Sequence, residues 1–160
     1  MRRVAAVLLI ALLTATGIFE YVIIRNKNVL RYSYDDTDPI TVWIDENTDS
    51  GDVILTPPYV LHPVVMGGGM LFYGHSYYAQ SAGYDVYTRE EAVYRMYRAG
   101  SPEQLKGLVK ENGIDYIVVD NQAREELSAR EDVIAATYEA VFQSGDFVIY
   151  ATGEDDKSKK

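Results

Sequence analysis

Apolar and polar positions divide the chain into one long apolar run at the front, a polar stretch, and then short periodic segments. From Val4 to Ile24 a single charged residue, Glu20, interrupts 21 positions. As a helix rising about 1.5 Å per residue, that run covers roughly 30 Å, the thickness of a bilayer's hydrocarbon core. The pattern predicts a transmembrane helix over 4–24. A cleaved secretory signal is the competing reading, with Arg2 and Arg3 as its basic region, Val4 to Leu13 as its apolar core and "TATG" as an imperfect cleavage site. The apolar continuation "IFEYVII" runs past a usual signal core and favours the span.

Residues 25–42 read as an extended connector, 43–152 as a soluble α/β domain and 153–160, "GEDDKSKK", as a disordered polar tail. Within the domain, "VWIDENT" has the pattern of a short amphipathic helix with Trp43 and Ile44 inward. Val53 to Thr56 is a buried strand stopped by Pro57 and Pro58, which can neither donate to a ladder nor continue it. "YVLHPVV" holds a turn or two of helix, and "MLFYG" is a second strand.

Thr88 and Glu91 form a capping box, with Ala92, Val93, Met96 and Tyr97 on one face, which predicts a helix over 89–99. Ser101, Pro102 and Gln104 open another helix, Leu105, Leu108 and Val109 supply its apolar stripe, and Gly113 is its left-handed stop. Ile114 to Asp120 has a continuous apolar run, Tyr116 to Val119, as a strand covered on both faces requires, with Val53 to Thr56 as its expected parallel neighbour. "AREELSAREDVIAATY" is partly helical, and "YEAVFQSGDFVIYAT" is an edge hairpin around Ser-Gly-Asp. The fold class expected is α/β: a single N-terminal transmembrane helix followed by a small mixed-sheet α/β sandwich ending in a β-hairpin.

Composition narrows the function. The chain has 160 residues, no cysteine, and 15 Lys+Arg against 24 Asp+Glu, a net charge of −9. Four of the basic and one of the acidic residues precede Val29, which leaves −12 on the remainder. That sign argues against nucleic acid and against docking on anionic lipid. Disulfide frameworks and thiolate metal sites are excluded.

Gly67 to Gly69 precede a strand rather than open a helix, so they match neither a dinucleotide fingerprint nor a P-loop and read as a turn. His62 and His75 lie thirteen residues apart without further ligand spacing, so no metal and no cofactor is expected. No G-x-S-x-G elbow is present. Asp85, Glu90 and Glu91 are accounted for by helix-start chemistry rather than by a catalytic carboxylate pair. The aromatic density around the glycines is distinctive: Tyr59, Phe72, Tyr73, Tyr77, Tyr78, Tyr84 and Tyr87 fall within about thirty residues. Tyrosine pairs an apolar face with a polar tip, suited to sugar rings, to a headgroup-level belt or to another protein. Core and loop packing is the competing reading of these rings; as a contact surface, the candidate residues are Tyr59, His62, Tyr73, His75, Tyr77, Tyr78 and Tyr84.

The order of segments, an apolar helix, "WIDENT", "DVILTPPYVLHPVVMGGGMLFYG", "YYAQSAGYD", "NGIDYIVVD" and "GDFVIY", resembles the C-terminal end of polytopic GT-C class membrane glycosyltransferases and their uncharacterised relatives. There the last membrane helix leads into a small extracytoplasmic α/β domain. The resemblance covers nearly the whole chain, with "LTPPYVLHPV" and "YYAQSAGYD" its more specific pieces. It implies a domain outside the cell membrane, an N-terminus on the cytoplasmic side, and a polytopic partner or missing catalytic part that uses polyprenyl-phosphate sugars. The catalytic loop of such enzymes has no counterpart here, so no catalytic residue carries over and the expected role is accessory. The alternative is a protein-interaction module that docks on membrane partners without sugar.

Overall fold

A computed structural model describes residues 2–27, 37–58 and 62–153. The chain divides into two compact units, Met1–Tyr34 and Asp35–Lys160.

In the first unit, helix α1 runs over Arg2–Lys27. Its Thr14 and Thr16 hydroxyls donate one turn back to the carbonyls of Ile10 (2.8 Å) and Leu12 (2.9 Å), satisfying themselves on the backbone. The membrane crossing expected over 4–24 is overturned: among the described residues no helix is long and apolar enough to cross a membrane. Thr14, Thr16, Gly17 and Glu20 dilute the apolar run. Helix α2 (Pro39–Asn47) opens the second unit.

The second unit is a five-stranded mixed sheet. Its α2 starts earlier than the sequence pattern suggested, inside the expected connector, because Asp38 accepts from the amides of Ile40 (2.8 Å) and Thr41 (3.2 Å) and Pro39 opens the first turn. Strand β1 (Val53–Leu55) is followed by the single turn α3 (Pro63–Met66), capped by His62, and by β2 (Met70–Leu71). Three helices follow: α4 (Ser76–Ser81), α5 (Val86–Tyr97) and α6 (Pro102–Asn112). Then come β3 (Tyr116–Val119), α7 (Asn121–Glu125), α8 (Glu131–Thr137) and the hairpin β4 (Glu139–Ser144) and β5 (Phe147–Ala151). The strand order is β2-β1-β3-β5-β4, with β1 parallel to β2 and β3, and β5 antiparallel to β3 and β4. Residues 28–36, part of the expected connector, and 154–160, most of the expected tail, lie outside the described residues.

Alternation along β1 and β3 explains their unbroken apolar runs. Leu55, Ile117 and Val119 turn to one face, where they meet α5, α6 and α8; Ile54 and Val118 turn to the other, where they meet Ile44 of α2 and Val64 of α3. A strand sandwiched in this way has no polar face to offer. Helix α8 is held to the sheet side by Glu131, which accepts from Arg124 (2.7 Å) and from the Tyr150 hydroxyl (3.1 Å). Burial, then the Glu131 charge, pushes the Tyr150 hydroxyl up to about 12, while the Arg124 hydrogen bond holds the Glu131 carboxyl below its ordinary value.

The glycine run is explained by packing. A Cβ on Gly67 would lie 2.7 Å from both the Ile44 Cβ and the Thr41 carbonyl oxygen, and one on Gly69 would lie 2.7 Å from a Val64 methyl. Gly68 between them takes φ +85°, a conformation that L side chains rarely adopt. The run therefore lets α3 turn back against α2 and β1, and no phosphate cradle is built from it. Gly67→Ala is expected to destabilise the fold by about 1–3 kcal/mol through overpacking. Gly51→Ala, at a position with nothing within 4 Å, should stay within about 0.5 kcal/mol. Urea denaturation of the two variants checks this, and equal midpoints would contradict the packing account.

Candidate functional site

The sequence "YGHSYYAQSAGYDVYT" becomes a short helix, a glycine turn and the start of a long helix, and each junction is fixed by a local hydrogen bond. His75 caps α4 by accepting the Tyr77 amide at its Nδ1 (3.3 Å), and Ser81 donates back to the Tyr77 carbonyl (2.7 Å). Gly83, at φ +83°, reverses the chain, and the Tyr84 amide closes onto the Ala79 carbonyl (3.1 Å). Asp85, not Thr88, then caps α5: its carboxylate accepts from the Thr88 amide (3.2 Å) and the Thr88 hydroxyl (2.7 Å). These bonds hold the Asp85 carboxyl below its ordinary value, the hydroxyl contributing most. The helix consequently begins three residues before the expected Arg89, which brings Tyr87 into its first turn.

This geometry brings four of the candidate residues to the surface. Tyr77 and Tyr78 stand edge to face with ring centres 5.6 Å apart, and the His75 ring lies 5.7 Å from Tyr78. Tyr84 is held by Arg89, whose guanidinium lies 5.2 Å from the Tyr84 ring centre and 5.3 Å from that of Phe72 while donating to the Phe72 carbonyl (2.7 Å). Arg89 thus anchors an exposed ring to the core, a role that sequence reasoning missed because Arg89 was read only as the first residue of a helix.

Tyr73 and His62 go elsewhere. Tyr73 is buried in the main core, and burial, followed by the charge of Glu90, pushes its hydroxyl up. His62 is also buried, with its Nδ1 accepting the Val64 amide (3.2 Å), its Nε2 lying 3.8 Å from an Asp120 oxygen and its ring 5.7 Å from that of Phe147. Asp120 in turn caps α7 through the Ala123 amide (2.9 Å). With Thr56, whose buried hydroxyl meets no hydrogen-bond partner among the described residues, these residues sit where the parallel strands β1 and β3 end, the place at which open α/β sheets often bind ligands. Here His62 turns both nitrogens toward protein groups, so the cluster ties α3 and α7 to the strand ends. Tyr59 lies outside the described residues.

A second surface feature adjoins these rings in sequence. An open groove of about 570 Å³ runs along α5 to the start of α6, lined by Tyr87, Glu90, Glu91, Tyr94, Arg95, Arg98 and Gln104. The Arg98 guanidinium stacks 4.9 Å above the Tyr94 ring and donates to the Leu127 carbonyl (2.8 Å). Tyr87 and Tyr94 are seven residues apart, two turns of one helix face, a signal present in the sequence once the helix start is placed at Val86. Among the described residues, no group of three or more His, Asp or Glu side chains is placed to hold a metal ion. No protein-family model matches the chain.

The Arg89 anchor is testable by itself. Arg89→Ala removes a charge-assisted bond to a carbonyl and two ring contacts, and is expected to lower stability by about 1–3 kcal/mol. A denaturation midpoint indistinguishable from the parent protein would show that Tyr84 is held by something else.

Proposed function

We propose that the chain is a non-catalytic, extracytoplasmic glycan-contact domain that serves a polytopic membrane glycosyltransferase of the GT-C class. The observation that carries the reading is the density of exposed tyrosine on α4 and the start of α5: Tyr77, Tyr78, Tyr84 and Tyr87 are 67%, 59%, 57% and 79% exposed. The buried core, which takes in Tyr73, Tyr97 and Tyr150, fills both sides of the sheet without them. Tyrosine contributes a large flat apolar face at the entropic cost of only two side-chain torsions, and its hydroxyl stays hydrogen-bonded when the face is covered. Such rings suit the apolar faces of sugar rings.

Other features support an accessory role. His62 faces Val64 and Asp120 from within the core, and His75 uses Nδ1 to cap α4. Asp85 and Glu131 are committed to a helix cap and to an ion pair. The partner and the side of the membrane in this reading rest on the resemblance of the segment order to the extracytoplasmic end of GT-C enzymes, with the sugar reaching the domain as glycan acceptor or lipid-linked donor.

The test is calorimetric titration of the full chain with neutral oligosaccharides. The Tyr77→Ala/Tyr78→Ala variant should bind at least about tenfold more weakly, a loss of about 1.4 kcal/mol, with an unchanged melting temperature. Binding equal to that of the parent chain would reject the α4 rings as contacts, and a parent chain that takes up no sugar would reject the glycan reading.

A further inference from the structure

The groove along α5 has a composition that singles out a ligand. Tyr87, Glu91, Tyr94 and Arg98 follow the spacing i, i+4, i+7, i+11, which is one stripe on the helix facing away from the buried Val86, Val93, Met96 and Tyr97. The stripe extends about 16 Å at 1.5 Å per residue. Two rings and two opposite charges therefore line a single track.

Arg98 is committed, stacking on Tyr94 and donating to the Leu127 carbonyl, whereas Glu91 and its neighbour Arg95 form no ion pair among the described residues. Glu91 and Arg95 have the spacing that favours an ion pair on a helix, yet the ion pairs among the described residues are His62–Asp120, Arg124–Glu131 and Arg130–Asp132. Gln104 uses its Oε1 to accept the Gly100 amide (2.9 Å), which directs its amide donors elsewhere. A carboxylate accepts only and a guanidinium donates only. A ligand that satisfies both without carrying charge must both donate and accept at adjacent positions, as vicinal hydroxyls do. Tyr87, 79% exposed, adds a face for the sugar ring that bears those hydroxyls, beside the half-buried Tyr94 on which Arg98 stacks.

Charge narrows the ligand further. Glu90 and Glu91 balance Arg95 and Arg98, so the groove is neutral, while the chain as a whole carries −9. A polyanion gains nothing from the groove and is repelled by the body around it.

We infer that this groove is the site that grips the glycan, and that its ligand is a neutral oligosaccharide rather than an acidic one. The inference rests on the glycan-contact reading: α4 packs against α5, so the α4 rings widen a contact whose polar recognition is made by the groove.

Calorimetry on the full chain tests this with a neutral hexose tetrasaccharide and a uronic-acid tetrasaccharide, comparing Tyr87→Ala and Glu91→Gln with the Tyr77→Ala/Tyr78→Ala variant. Both substituted groove residues are exposed, and melting temperatures verify that the variants fold. Each groove variant should weaken binding of the neutral sugar about tenfold, and the uronic acid should bind the parent chain at least about tenfold more weakly than the neutral sugar at low salt. If the α4 variant loses binding while both groove variants keep it, the groove assignment is overturned and the glycan reading stands. Tighter binding of the uronic acid overturns the neutral specificity. A parent chain that binds neither sugar overturns both this inference and the glycan reading.

Discussion

The hydroxyl of Tyr97 lies at the junction on which the rest of the domain is built. Its ring is fully buried, and its oxygen donates to the Val118 carbonyl at 2.6 Å with the Leu55 carbonyl at 3.5 Å. One side chain from α5 thereby meets the ends of both central parallel strands. Its own carbonyl accepts the Arg130 amide (2.8 Å), which starts α8. A buried hydroxyl and buried carbonyls are costly to leave unpaired, so the bond fixes the rotation of α5 about its axis as well as its distance from the sheet. With that rotation set, Val93 and Met96 turn inward, and Tyr87, Glu91, Tyr94 and Arg98 must turn outward.

The two sides of α5 divide the work between folding and contact. Inward, the helix presents side chains that pack on Leu55 and Ile117 in a continuous core. Outward, it presents aromatic faces and charges, of which Arg98 also ties the helix to the Leu127 carbonyl. The same division holds at the histidines: His62 is absorbed by the strand ends and His75 stays near the surface rings. Arg89 fixes the Tyr84 ring against the core, so that ring has less freedom to lose than an untethered one.

Much of the sheet was legible from pattern alone. The unbroken apolar run through Tyr116–Val119, the prolines after Thr56 and the Ser-Gly-Asp turn correspond to a central strand, a strand end and an edge hairpin, because burial on both faces and turn chemistry write directly into residue type. Ser101 and Gly113 bound α6 as their capping preferences require. The start of α5 was misread because Asp85 and Thr88 are both competent caps, and only the turn made by Gly83 decides between them. The start of α2 was missed because Asp38-Pro39 also reads as a connector. The long apolar run at the front has the length of a bilayer span, whereas among the described residues no helix is long and apolar enough to cross a membrane. At the candidate site the tyrosines were visible as a cluster, but the burial of Tyr73 and His62 depends on long-range packing that no local pattern encodes. Arg89 escaped notice for the same reason, since its partner Phe72 is seventeen residues away.

The proposed glycan contact lies on the outer side of α4 and α5, whose inner sides pack into the core. Amide chemical-shift mapping of the full chain during titration with a neutral oligosaccharide addresses it most directly. The account predicts shifts concentrated in residues 75–98 and at Gln104, with β1 and β3 undisturbed. Shifts centred on Thr56, His62 and Asp120 at the strand ends, or none at saturating sugar, would contradict it.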